Sequence, residues 1–171
     1  DTLKVQSAQE RLQALNPHIR VHTLSEKLDS DNLPGILKSV NLVMDCTDNF
    51  TIRGQLNVAC VMAGKVLVSG AAIRTEGQVS VYDPKNEQSP CYHCVFGDGG
   101  EEGLTCSEAG VLVPLVGLIG SLQALEALKI LAGFGETLVG RLLLVDALST
   151  RFRELKLRRD PKCSVCSVRY A

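Results

Sequence analysis

Asn41-Leu-Val-Met-Asp-Cys-Thr-Asp-Asn-Phe50, followed after a helical stretch by Gly64-Lys-Val-Leu-Val-Ser-Gly-Ala-Ala72, is the part of the chain on which the fold turns. Residues 41–46 form an apolar run that ends in polar side chains, the pattern of a buried strand whose carboxyl end is open to chemistry. Residues 50–63 predict a helix, and Gly64 ends it, because a residue without a Cβ adopts the left-handed cap conformation at little cost. Residues 65–72 are a second apolar strand. Strands separated by helices predict parallel crossovers and a doubly wound sheet.

Working toward the N-terminus, Val5, Ala8, Leu12 and Leu15 recur at steps of three and four, which places them on one face of a helix that Asn16-Pro17 stops. Residues 19–24 alternate as a short strand, and residues 29–39 predict a short helix capped by Asp or Ser with Pro34 near its start. Toward the C-terminus, residues 77–83 alternate as a strand, and a loop then leads to Cys91-Tyr-His-Cys94. A Gly- and acid-rich loop over residues 97–110 contains Cys106. Pro114 opens and Gly133 closes a long apolar helix, and residues 141–146 and 152–158 read as antiparallel strands. The expected architecture is α/β: one domain over residues 1–171, with a mostly parallel sheet and antiparallel C-terminal strands.

Composition narrows the function classes. The chain has 171 residues, 45% of them hydrophobic and 22% charged, which excludes a disordered or fibrous protein. Eighteen Lys and Arg against 19 Asp and Glu leave a net charge of -1, a poor basis for binding nucleic acid or an anionic membrane. Aromatics at 4%, with no Trp, argue against a base-stacking platform. The apolar stretch 111–131 is interrupted by Pro114, Gly117, Gly120, Gln123, Glu126 and Lys129, and so reads as a buried helix instead of a membrane span. Residues 1–11 are polar and carry no signal-peptide core, which points to the cytoplasm. Seven Cys, an odd number, favour metal or thiol chemistry in a reducing compartment.

Two Cys-x-x-Cys units, Cys91/Cys94 and Cys163/Cys166, carry the strongest chemical signal. Each tight turn presents two sulfurs to one ion, and two turns complete a closed four-thiolate shell suited to structural Zn²⁺. Unrelated surface thiols or a redox pair are the weaker readings; a redox pair opens a helix in a small fold of its own, and two matching units argue against both. Asp45-Cys-Thr-Asp48-Asn49 ends a buried strand, where Asp48 is placed either to hold Mg²⁺ on a nucleotide or simply to cap the following helix. Cys106 precedes a helix, whose N-terminus would lower a thiol pKa; an ordinary loop cysteine is the equal alternative. His18, His22 and His93 have no ligand spacing and read as solvated, and Lys4 reads as a solvated helix residue. Gly133-Phe-Gly135 follows a helix instead of a strand, so it is a cap and turn and not a dinucleotide loop.

In order along the chain, Lys4-Val-Gln-Ser-Ala, Asp45-Cys-Thr-Asp-Asn49, Arg53 with Asn57, Ser69-Gly-Ala-Ala-Ile-Arg-Thr-Glu-Gly-Gln78, Cys91-Tyr-His-Cys94, Thr105-Cys-Ser-Glu-Ala-Gly-Val111 and Cys163-Ser-Val-Cys166 resemble the ThiF/MoeB/HesA family, bacterial relatives of ubiquitin-activating enzymes. The Ser-Gly-Ala-Ala-Ile-Arg and Thr-Cys-x-Glu-Ala-Gly segments are more similar to the MoeB-like branch. The resemblance implies ATP- and Mg²⁺-dependent adenylation of the Gly-Gly C-terminus of a ubiquitin-like sulfur-carrier protein. In the MoeB-like branch that carrier is the small subunit of molybdopterin synthase; in the ThiF-like branch it is a thiamin sulfur carrier.

By the same resemblance, Lys4 contacts ATP phosphate, Asp48 is the catalytic residue associated with Mg²⁺-nucleotide, and Asn49 binds ATP beside it. Arg53 is an anion contact, and Cys106 a sulfur-transfer residue. Such proteins form homodimers through the apolar part of the domain. The Gly117/Gly120/Ala124 face of the long helix suits either that interface or the core, and the core is expected. The family's N-terminal phosphate loop has no counterpart in these residues, so the chain alone is not expected to catalyse the reaction. A zinc-stapled binding module without catalysis and an NAD-dependent dehydrogenase are the competing classes.

Overall fold

The computed structural model of the chain describes residues 2–97 and 109–167. Helix α1 (Lys4–Leu15) and the short α2 (Leu33–Leu37) precede β1 (Leu42–Asp45), α3 (Phe50–Ala63) and β2 (Val66–Ile73). Then come β3 (Glu76–Tyr82), the short α4 (Tyr92–Phe96), the long α5 (Val113–Ala132), and β4 (Arg141–Asp146) with β5 (Arg151–Lys156). The caps explain the sharpest boundaries. Asn49 Oδ1 accepts the Ile52 N–H at 3.0 Å at the start of α3, and Gly64 ends that helix at φ 66°. Pro in the first turn and Gly133 at φ 68° bound α5 in the same way.

The five strands form one mixed sheet in the order β1-β2-β3-β4-β5. Strands β1 and β2 are parallel, joined by the α3 crossover, as the alternation of strand and helix requires. The three other neighbouring pairs are antiparallel. Parallel pairing between named strands is therefore confined to β1 and β2 among the described residues. The physical reason is the turn after β2: Ile73 pairs with Glu76, so only Arg74 and Thr75 separate the strands, and a two-residue connection permits only an antiparallel return. Residues 19–24, expected as a strand, pair with no strand among the described residues; alternation alone supplies no hydrogen-bonding edge. Gln9 Nε2 instead donates to Val21 O at 2.8 Å. The apolar face of α1 is likewise unburied.

Helices cover both faces of the sheet. Leu67 and Tyr82, paired in register, pack with Leu37, Cys60 and Tyr92 on the α3 side. Their neighbours Val68 and Val81, also paired, pack with Val79, Val145, Leu115 and Ile119 on the α5 side. This period-two division between two apolar layers is the doubly wound arrangement expected from the sequence.

Helix α5 meets the sheet through two glycines. A Cβ on Gly77 would lie 2.6 Å from Ile119, and one on Gly70 only 2.2 Å from the Gln123 carboxamide carbon. Gln123 is buried, and its Nε2 donates to Asp45 O at 2.8 Å and Val68 O at 3.3 Å. Glu126, also buried, accepts the Leu138 N–H at 2.7 Å and pairs with Lys129. By length and composition α5 is apolar enough to cross a membrane. Its two buried polar side chains, however, are spent on the sheet and on the loop that follows the helix. Gly117, Gly120 and Ala124 lie on the exposed side, against the expectation that this face is core. Val113, Val116, Leu125, Leu128 and Leu131 accompany them there.

The substitution Gly70→Ala should cost about 2–3 kcal/mol in denaturant unfolding, because the methyl displaces the bonded Gln123 carboxamide. Pairing it with Gln123→Ala should give a loss smaller than the sum of the two single losses, since both remove the same seat.

Candidate active site and metal centre

The carboxyl end of β1 is built around a carboxylate that never reaches solvent. Asp45 is fully buried; its Oδ1 accepts the Thr47 N–H at 2.9 Å and the Thr47 hydroxyl at 2.6 Å, and its Oδ2 accepts the Ser69 hydroxyl at 3.3 Å. From α3, the buried Arg53 guanidinium donates to Thr47 O, in close contact, and to Gly70 O at 3.4 Å. From α5, Gln123 holds Asp45 O and meets the Cys46 thiol at 3.7 Å. The turn 45–48 is thus clamped from the strand ends and from both helical layers.

On this clamped turn Asp48 and Asn49 face outward. Asn49, and not Asp48, caps α3, which overturns the plainer reading of Asp48. Among the described residues the Asp48 carboxylate hydrogen-bonds only the Asn49 Nδ2, at 3.5 Å, which leaves it open to a cation. Arg53 lines the adjoining cavity, but its buried fork also braces two main-chain carbonyls. The cavity holds about 380 Å³, with Asp48, Asn49, Arg53, Glu76, Phe96 and Asp146 among its walls. Ser149 holds the half-buried Asp146 carboxyl below its ordinary value, with its hydroxyl at 2.5 Å. A larger hollow of about 980 Å³ lies between α2, α3 and α4; none of the described residues lining it is a carboxylate.

Lys4 opens α1 in an exposed position. No hydrogen bond or ion pair of the described residues joins it to Asp48, Asn49 or Arg53. Cys106 lies outside the described residues. Sequence reasoning passed over Gln123, Ser69, Glu76 and Asp146. Gln123 alone left a signal, as a polar residue interrupting an apolar helix.

The four cysteines of the two Cys-x-x-Cys units come together as the sequence predicts. Their sulfurs all lie within 4.8 Å of one another. Cys91 is 3.8 Å from Cys94 and 3.7 Å from Cys163, and Cys94 is 3.5 Å from Cys166. A tetrahedron with Zn–S bonds of about 2.3 Å has sulfurs about 3.8 Å apart, so the donor set and spacing fit a four-thiolate ion site. Crowding splits the two thiols of the first unit, favouring the thiolate at Cys94 and opposing it at Cys91. The Cys91 contact holds the Cys94 thiol down to about 4, while that same contact and burial push Cys91 up. Asn57 Nδ2 donates to Cys91 Sγ at 3.6 Å. His93, read from the sequence as solvated, places Nδ1 3.4 Å from Cys163 Sγ.

A mixed sheet with helices on both faces, a nucleotide-scale cavity outside a strand's carboxyl end and a four-sulfur knuckle define an α/β domain of the doubly wound, ligand-binding kind. Residues 1–165 match the model of the ThiF family, and the chain belongs to that family. It is 48% identical over 163 residues to the molybdopterin-synthase adenylyltransferase of Salmonella typhimurium, covering 95% of this chain and 65% of that protein. It is 42% identical over 168 residues to the adenylyltransferase and sulfurtransferase MOCS3 of Drosophila virilis, covering 96% of this chain and 37% of that protein. The chain therefore spans less than two thirds of the length of these relatives. Among solved structures, E. coli MccB with ATP aligns at a TM-score of 0.79 and 18% identity, over 97% of this chain and 52% of that one, which is a likeness of fold.

Thiol reactivity offers a check on this geometry. Burial first, and the Asp45 charge second, push the Cys60 thiol up to about 12. Iodoacetamide under mildly alkaline conditions should label the exposed Cys46 in the folded protein and leave Cys60 unmodified until denaturant is added. Peptide mass mapping that found Cys60 labelled as fast as Cys46 would contradict the packing of α3.

Proposed function

We propose that this chain serves ATP-dependent adenylation of the C-terminal glycine of a ubiquitin-like sulfur carrier, the small subunit of molybdopterin synthase, for molybdenum-cofactor biosynthesis. The observation that carries the reading is the outward Asp48 carboxylate on a clamped turn above a cavity, in a family member 48% identical to a molybdopterin-synthase adenylyltransferase. In this reaction the carrier's carboxylate oxygen forms a bond to the α-phosphorus of ATP, the bond from that phosphorus to the bridging oxygen breaks, and pyrophosphate leaves. No proton moves, so no general base is required. The barrier is the approach of one anion to another, and catalysis is positioning with charge neutralisation.

Each residue then has a part. Asp48 holds Mg²⁺ at the phosphates, and the ion supplies neutralising charge. The oxygen of Asn49 is engaged in capping, so its Nδ2 is the group offered to ATP. Arg53 braces the turn and lends positive charge to the cavity wall. Lys4 supplies a phosphate contact from the start of α1, and Cys106 a thiol for sulfur transfer. Cys91, Cys94, Cys163 and Cys166 hold a structural Zn²⁺, a closed shell with no open position. Keeping four thiolates reduced accords with the cytoplasm. The exposed apolar side of α5, with Gly117, Gly120 and Ala124, supports a homodimer.

A second reading, a different carrier for the same chemistry, has its own support. The chain is 46% identical over 164 residues to the sulfur carrier protein adenylyltransferase of Thermus thermophilus, covering 93% of this chain and 60% of that protein. The deciding measurement is ATP–pyrophosphate exchange by the complete gene product, offered molybdopterin-type and thiamin-type carriers separately. Exchange with the molybdopterin carrier alone is expected. Asp48→Ala should lower it on the order of 10²-fold or more while carrier binding persists. Exchange with neither carrier would sink the reading.

Metal analysis should find one zinc per chain. Cys163→Ser should release it and lower the melting temperature, because site formation and folding share one free energy.

A further inference from the structure

The metal knuckle and the carboxyl-end cavity are joined through one buried side chain that neither role accounts for. Asn57 sits on α3 one turn beyond Arg53, on the same face, and both are buried. Its Nδ2 donates to Cys91 Sγ at 3.6 Å, and its Oδ1 accepts the Tyr92 N–H at 2.9 Å. A buried carboxamide satisfied at both ends tolerates little displacement of either partner. The element it holds is α4, which also carries Cys94 and therefore two of the four sulfurs are fixed with it. The Tyr92 ring packs at a tilt against Phe96 with centroids 4.5 Å apart, and Phe96 is a wall of the cavity. Arg53 lines the same cavity as Phe96. Arg53 in turn braces the turn that presents Asp48.

We propose that Asn57 is a positioning residue that ties the four-cysteine metal knuckle to the Asp48 site, so that metal binding fixes α4 and, through Asn57, Tyr92 and Phe96, the cavity wall and the Arg53 brace. The metal centre then shapes the reactive end of the sheet as well as stapling the chain's C-terminal segment. The proposal takes zinc as the ion and the Asp48 turn as the reacting end from the function proposed above. Its tests need neither ATP nor a carrier, so it fails or stands separately from the adenylation reading.

The informative variant is Asn57→Asp, which keeps the oxygen that receives the Tyr92 N–H and exchanges the donor facing Cys91 for a carboxylate oxygen. Competition against a chromophoric chelator should show zinc affinity falling about 10–100-fold, as for other residues that hydrogen-bond metal ligands. At saturating zinc, backbone hydrogen exchange should rise in α4 and at the Asp48–Arg53 end of α3, while α5 stays protected. If that variant does not fold, Asn57→Ser, which retains a small hydroxyl, is measured in the same two ways. Zinc affinity within twofold of the unsubstituted protein would overturn the proposal. So would faster exchange that stops at residues 91–97 without reaching the Asp48 turn.

Discussion

A single buried carboxamide holds the two layers of this structure in register. Gln123 lies in a largely apolar helix–sheet interface, and an unpaired amide there would cost about 1–3 kcal/mol. It is paired because β1 and β2 offer the carbonyls of Asp45 and Val68 within reach of one Nε2. That reach exists only because residue 70 has no Cβ. The contact therefore constrains three things together: the depth of α5 on the sheet, the identity of residue 70, and the position of the strand end from which the Asp48 turn departs.

From that seat the two carboxylates of the turn acquire different work. Asp45 is fully buried and surrounded by three donor groups from Thr47 and Ser69, so its charge organises the main chain. Asp48 stands three residues on, outside the clamp, with one weak hydrogen bond at 3.5 Å among the described residues. Environment separates the roles of two identical groups. A buried charge is kept where hydrogen bonds satisfy it, and an exposed one remains where a cation can approach. The Arg53 guanidinium belongs to both sides of this division, bonded to carbonyls of the inner frame while lining the outer cavity.

The parts of this arrangement that local chemistry dictates were legible in the sequence. Helix α3 runs from Phe50 to Ala63 as read, because Asn49 and Gly64 are capping residues at its two ends. The Cys-x-x-Cys pairs met because their spacing presents paired sulfurs. What depended on distant partners was not legible. Residues 19–24 have the alternation of a strand but no edge to join. The reversal after β2 carries no Asn-Gly or Gly signal; Arg74 itself takes φ 51° there, held by the Gly110 carbonyl at 2.8 Å. Helix α5 is apolar nearly all round, so periodicity does not say which side meets the sheet. Gln123 and Glu126, polar in sequence, turn out to mark the buried side. His93 is only half-buried, and the Cys163 contact it makes comes from far along the chain.

That long-range arrival is also what makes a metal the suitable fastener. The Cys91–Cys163 contact closes a separation of 72 residues onto a knuckle that forms a small core of its own with Val61. Cross-linking a loop of that length removes much of the unfolded chain's freedom, about 4–5 kcal/mol in the chain-entropy view. A disulfide would do so at the mercy of the compartment's redox poise, and it would join only two of the four sulfurs. One ion would join all four, and a tetrahedral shell would set the orientation of each Cys-x-x-Cys turn. Orientation matters here because Cys91 and Cys94 belong to the same turn as Tyr92 and Phe96. A fastener that closed the loop without orienting α4 would leave the cavity wall undefined.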